Sequence, residues 1–205
     1  MSFAKKELFG GAITSDMPTD WKDVSEIRPI PDNQECFLES DSSDTKMIVV
    51  EILQLQEDVQ DKEAAKFFFD DLAEQNDALQ NKDDIRFVAL DEHASPTALL
   101  DDASVVAGKN TVRVCAGFGY QKVAMGRDLD QGGNSRRAKQ EVKCIRVDLF
   151  VLRLPMQETD LLITMSSPVD ATAVDEVSLE NSPAVSAILD RAVSTFRIED
   201  WDLFE

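Results

Sequence analysis

Histidine is almost missing from this 205-residue sequence, with His93 its only copy, and cysteine, tyrosine and tryptophan number three, one and two. A single histidine beside Asp91 and Glu92, with no cysteine at ligand spacing, offers neither a common zinc site nor a histidine-based triad, and reads as a solvated turn. Cys36, Cys115 and Cys144 are odd in number and lack metal-site spacing, so they read as reduced, mostly buried thiols. No serine occupies a G-x-S-x-G turn, which removes that hydrolase class. No window approaches the roughly 18 apolar residues of a membrane helix, and no apolar run of signal-peptide length follows Lys5-Lys6. The expected setting is the cytoplasm and nucleus, without membrane insertion. Repeats, heptads and Pro-rich or Ser-rich linkers are also lacking, so residues 1–205 are expected to share one core as a single domain.

Basic residues are few as well: 21 Lys and Arg face 40 Asp and Glu, a formal charge of -19. Such a surface repels nucleic-acid phosphates and anionic lipid heads, and attracts basic protein patches. Adjacent acids at Asp70-Asp71, Asp83-Asp84 and Asp101-Asp102 fit solvated faces in so acidic a chain rather than acid–base pairs. Glycine-based motifs fail on inspection. Gly108-Lys109 lacks the phosphate-loop pattern because Ala103 stands where the first glycine belongs and Asn110 replaces Ser or Thr. Gly117-Phe118-Gly119 lies inside a strand pattern, where it marks a bulge or a close backbone contact. No cofactor, metal or catalytic residue is implied.

The patterning favours strands. Lys46 to Leu55 is β-branched and almost continuously apolar, as in a strand covered on both faces. Residues 85–91 and 111–124 alternate, and Lys143 to Leu154 with Thr159 to Met165 form a hairpin pattern around Pro155. Helical spacing appears from about Lys62 to Glu74, on Ala65, Phe68, Phe69 and Leu72. A second helix is expected from Ser182 as N-cap and Pro183 at its first position, with Val185, Ile188, Leu189, Ala192, Val193 and Phe196 facing the core. Residues 125–138, with glycines and Arg127, Arg136 and Arg137 but no period, are expected to form a flexible connection.

Two features are unusual enough to suggest a binding surface. Asp23, Asp32 and Glu35 cluster in a segment that Pro29 and Pro31 stiffen. Glu51 interrupts an apolar strand on the face of Met47, Val49 and Leu53, so it must emerge, pair with Arg28 or a lysine, or serve a partner.

These residues lie within a wider resemblance. LFGGAI at Leu8 to Ile13, DVSEIRPIPDNQE at Asp23 to Glu35, MIVVEILQLQ at Met47 to Gln56, RLPMQETDLLITMSSP at Arg153 to Pro168 and the closing DLF at Asp202 to Phe204 resemble the Ran guanine nucleotide release factors, or Mog-type Ran-binding proteins. The resemblance implies an α+β fold, a three-layer α/β/α sandwich with a central, mostly antiparallel sheet similar to PsbP-type proteins. It implies a monomeric, non-enzymatic regulator that binds the GTPase Ran and promotes loss of its nucleotide in nuclear transport. Asp23, Asp32, Glu35 and Glu51 are the implied Ran contacts. Gln54 stands where related sequences often carry a second acid, keeping hydrogen bonding without charge. The other reading is an acidic adaptor or scaffold for protein trafficking, with no effect on nucleotide. A photosystem accessory role would rest on fold analogy alone.

Overall fold

The computed structural model describes residues 1–40, 45–76, 78, 85–90, 95–125, 141–170 and 186–204. In chain order they form β1 (Phe3–Leu8), β2 (Ile13–Pro18), β3 (Trp21–Asp23), β4 (Gln34–Glu39), β5 (Met47–Gln54), helix α1 (Asp61–Gln75) and β6 (Ile85–Leu90). There follow short helices α2 (Thr97–Leu100) and α3 (Ala103–Val106), β7 (Arg113–Met125), β8 (Glu141–Leu154), β9 (Thr159–Val169), helix α4 (Ala187–Thr195) and β10 (Arg197–Ile198). A seven-stranded sheet runs in the order β3-β4-β5-β9-β8-β7-β6, and a three-stranded sheet in the order β1-β2-β10. Every pairing is antiparallel.

Side chains alternate across each strand, so one sequence supplies two cores. On one face of the large sheet Ile48, Val50, Phe150, Leu152, Leu161 and Ile163 pack against Leu8, Ile13, Met17 and the stripe Leu189, Val193 and Phe196. On the other, Val147, Leu149, Val151 and Leu162 meet Ala64, Ala65, Phe68 and Phe69 of α1. The layering is the expected α+β sandwich, with a finding added: the layer carrying α4 also contains the small β1-β2-β10 sheet, whose two-residue last strand is too short to leave a periodic signal. Helix α4 opens at Ser186, whose hydroxyl accepts from the Ile188 N–H; Ser182 and Pro183 lie outside the described residues. So do His93, Asp83-Asp84 and the expected flexible segment from residue 126 onward.

The strand over 46–55 is covered differently from its apolar pattern. Ile48 and Val50 are fully buried, but Met47, Val49, Glu51 and Leu53 on the opposite face stay partly exposed. The reason is where α1 sits. Gly117 and Gly119 of β7 lie directly beneath aromatic rings: a Cβ at Gly117 would overlap Phe87, and one at Gly119 would overlap Phe69 of α1 and the Arg86 carbonyl. The Phe69 and Phe87 rings then stack with centroids 5.1 Å apart. These glycines mark close approach without a bulge, since the β6–β7 register runs unbroken from Ile85↔Gln121 to Leu90↔Ala116. The helix settles over β6, β7 and β8, touches Leu162 of β9, and leaves this face of β4, of β5 and of the Ser166–Val169 end of β9 less covered.

The start of α1 is fixed by Arg153, which is only 4% exposed. Its Nε donates to Asp160 Oδ1 at 2.9 Å, Nη1 to the Val59 carbonyl at 2.6 Å and Asp61 Oδ1 at 3.0 Å, and Nη2 to the Gln56 carbonyl at 2.6 Å. Asp160, fully buried, also accepts from the Gln56 N–H at 2.9 Å. One guanidinium thus joins the β8–β9 hairpin, the segment before α1 and the first residue of the helix. Removing one partner of a buried pair leaves an uncompensated charge. Arg153→Met is expected to lower unfolding stability by about 3–5 kcal/mol, measured by urea denaturation, with Asp160→Asn offsetting part of the loss in the double variant.

Candidate partner-binding surface

The uncovered half of the sheet and the flank of α1 enclose a groove of about 440 Å³. Its floor is apolar, formed by Met47 and Val49 of β5, Ile145 and Val147 of β8 and Leu72 of α1. Gln34, Glu51, Lys143, Gln75 and Asn76 are among its polar lining. Glu51 faces Gln34 across the β4–β5 ladder, and the Gln34 amide Nε2 donates to Glu51 Oε1 at 2.6 Å. The partner of Glu51 is therefore a neutral amide rather than Arg28, and among the described residues it forms no ion pair. A half-buried carboxylate so oriented, without an ion-pair partner among the described residues although Lys143 also lines the groove, suits a cationic visitor.

Pleating separates the remaining acids from Glu51. Glu35 pairs with Val50 and Asp23 with Phe37, and both of those partners point into the core on the other face. Glu35 Oε1 accepts from the Phe9 N–H at 2.6 Å. Phe9, Gly10 and Gly11 form the β1–β2 turn with φ values of 49°, 67° and 96°, so the LFGG block is a left-handed turn that a carboxylate holds closed. Asp23 accepts from the N–H and hydroxyl of Ser25 at 2.9 and 2.6 Å and lies 3.7 Å from Lys6 Nζ. Asp32 is exposed in the turn closed by the Gln34 N–H to the Pro31 carbonyl, at the same end of the sheet as Glu51. Gln54 is exposed at the end of β5, opposite Thr159.

The structure thus brings Asp32 and Glu51 to one edge and turns Asp23 and Glu35 inward. The amide that orients Glu51 escaped the sequence reading, although it follows from register once β4 and β5 are paired. So did a buried charged pair on β8, where Arg146 forks onto Asp148 at 2.7–3.1 Å beneath the Phe118 ring. Burial pushes the Asp148 carboxyl above its usual range despite Arg146, and burial followed by the charge of Asp148 does the same to Asp190 on α4. The three cysteines form no disulfide; burial raises Cys36 and pushes Cys115 up to about 11. Of the paired acids, Asp102 caps α3 through Ser104, whose hydroxyl holds its carboxyl below the usual range, and Gly108 with φ 70° ends that helix. Among the described residues no group of His, Cys, Asp and Glu could hold a metal ion, and no helix is long and apolar enough to cross a membrane.

The family model for the Ran-interacting Mog1 protein matches residues 6–168. The chain belongs to the Mog1 family. Among curated relatives, the Ran guanine nucleotide release factor of Danio rerio is 29% identical, over 88% of this chain and 86% of its own. The nuclear import protein mog1 of Schizosaccharomyces pombe is also 29% identical, over 91% and 88%. The Homo sapiens Ran guanine nucleotide release factor is 26% identical over 96% and 94%. The solved Saccharomyces cerevisiae Ran-binding protein Mog1p shares the fold with a TM-score of 0.66 and 23% identity, each chain covered in full. A solved Mog1 mutant gives a TM-score of 0.67 at the same identity and coverage.

Within this Mog1-family chain the two kinds of acid should separate on substitution. Glu35→Ala leaves the Phe9 N–H without its acceptor and is expected to cost about 1–3 kcal/mol, whereas Glu35→Gln, which keeps an oxygen there, costs less. Asp32→Ala should stay within about 0.5 kcal/mol of the parent. Denaturant midpoints of the three variants check this; equal stability of Glu35→Ala and the parent would contradict the internal role of Glu35.

Proposed function

We propose that this chain binds Ran and promotes release of its guanine nucleotide, serving nucleocytoplasmic protein transport in the nucleus and cytoplasm. Relatives matched over most of the chain carry that activity in their names, and the observation in this molecule that supports it is Glu51: a carboxylate held by a neutral amide at an open groove. GTPases grip nucleotide through a phosphate-cradling loop, its lysine and magnesium. A foreign carboxylate that engages such cationic machinery competes with phosphate, and binding the nucleotide-poor conformation more tightly than the loaded one shifts the equilibrium toward release. In this reading Glu51 and the exposed Asp32 meet the basic surface of Ran, and Gln54 adds uncharged hydrogen bonding at the strand end. Asp23 and Glu35 act through the turn and the short helical segment they hold. The overall charge of -19 accelerates encounter.

The decisive assay follows dissociation of a fluorescent guanine nucleotide from purified Ran, with and without this protein. The expected result is accelerated release, reduced at least tenfold by Glu51→Lys combined with Asp32→Lys, in a variant whose melting temperature matches the parent. Tight binding with unaltered release would favour a trafficking adaptor instead, and absence of both would overturn the proposal.

A further inference from the structure

Glu51 and Asp32 account for attraction but leave the groove floor unexplained. Met47, Val49 and Leu72 are apolar, partly exposed and contiguous, over a base at Val147 that is 2% exposed. The Thr164 hydroxyl in the lining turns toward the Val49 carbonyl, at a long 3.5 Å. The floor is therefore concave and apolar, with Glu51 and Lys143 and neutral amides around it. That is the composition of a pocket that seats an anchor side chain inside a polar rim.

We infer that this groove receives a single large aliphatic side chain from a surface loop of the partner, and that a lysine or arginine next to it in that loop reaches Glu51. The inference rests on the Ran reading and adds how the partner is recognised. Three observations choose this occupant. Glu51 is bonded to the amide of Gln34 rather than to a cation, so charge complementarity calls for a base beside the anchor. The groove is continuous with the Asp32 turn through reciprocal Asn33–Ile52 bonds, the Ile52 N–H reaching the Asn33 carbonyl at 2.9 Å and Asn33 Nδ2 the Ile52 carbonyl at 3.0 Å. Its volume of about 440 Å³ accommodates one bulky side chain with its immediate backbone, and is small for the apolar face of a whole helix.

Floor and rim make different predictions, which separates this inference from the reading beneath it. Val49→Phe fills the groove without changing charge and is expected to weaken Ran binding at least tenfold while leaving the salt dependence of the Kd unchanged. Glu51→Gln is expected to weaken binding and flatten that salt dependence. Because an enlarged side chain could disturb the sheet, the parent protein supplies an independent readout: the methyl resonances of Met47, Val49 and Leu72 should shift when Ran is added. Ran binding with a Kd for Val49→Phe within twofold of the parent, or with those methyls unmoved, would overturn the groove inference and leave the Ran reading standing. No Ran binding by the parent would remove both. A concentration-dependent dimer, seen by sedimentation with the same methyls shifting, would overturn the inference in favour of a second copy as occupant.

Discussion

Everything distinctive about the molecule's surface follows from the close approach of α1 to β7. Two side-chain-free positions, Gly117 and Gly119, let the Phe69 and Phe87 rings descend onto the strand where any Cβ would meet them. The helix is drawn to one half of a seven-stranded sheet, and Arg153 with Asp61 fixes its first residue on the same side. A single helix about 10 Å across cannot cover seven strands spaced about 4.8 Å apart. The choice of which strands it covers is therefore the choice of which remain open. Had β5 carried the small residues, the open apolar face would lie on the opposite side of the sheet, far from the Asp32 turn.

The two-residue period of the strands imposes a second constraint. Polar residues that are neighbours in sequence are assigned alternately to the two faces, so Gln34 belongs with Glu51 while Glu35 faces the N-terminal turn. The acidic segments of this chain consequently occupy two settings that look alike in the sequence. In one, a carboxylate holds the LFGG turn against its unfavourable backbone angles; in the other, it presents charge at the groove. The residue that holds the turn, Glu35, and the one that orients Glu51, Gln34, are adjacent on β4.

How much of this was legible beforehand depends on the range of the interaction. Strands over 85–90 and 113–125, the β8–β9 hairpin and helix α1 are announced by local period, and the structure places them within a few residues of that reading. The apolar stripe of α4 was legible, but its cap at Ser186 was not, because Ser182-Pro183 offers the same local chemistry. The continuous apolar run at 46–55 suggested burial on both faces. Hydrophobic pattern reports an affinity for apolar surroundings and cannot distinguish a core from a surface reserved for a partner. Glu51 was visible as an anomaly, yet its partner Gln34 lies 17 residues away and emerges only from the register. The pairing of β2 with β10 was invisible for the same reason, as it joins positions nearly the whole sequence apart.

That last sheet bears on how the protein is made. β2 pairs with Arg197–Ile198, Ser15 donates to the Ala192 carbonyl, Asp16 pairs with Arg191, and Glu199 accepts from Lys5 and Thr14. Strand β2 emerges from the ribosome some 180 residues before the segment that completes its layer. At about 5–20 residues per second the wait is about ten seconds or more, during which Leu8, Ile13 and Met17 have no α4 to pack against. Contacts so far apart in sequence also slow the final closure. The apolar side of β1 and β2 is thus without its α4 cover over the synthesis of the intervening chain, and that layer closes only once the α4 segment has been made.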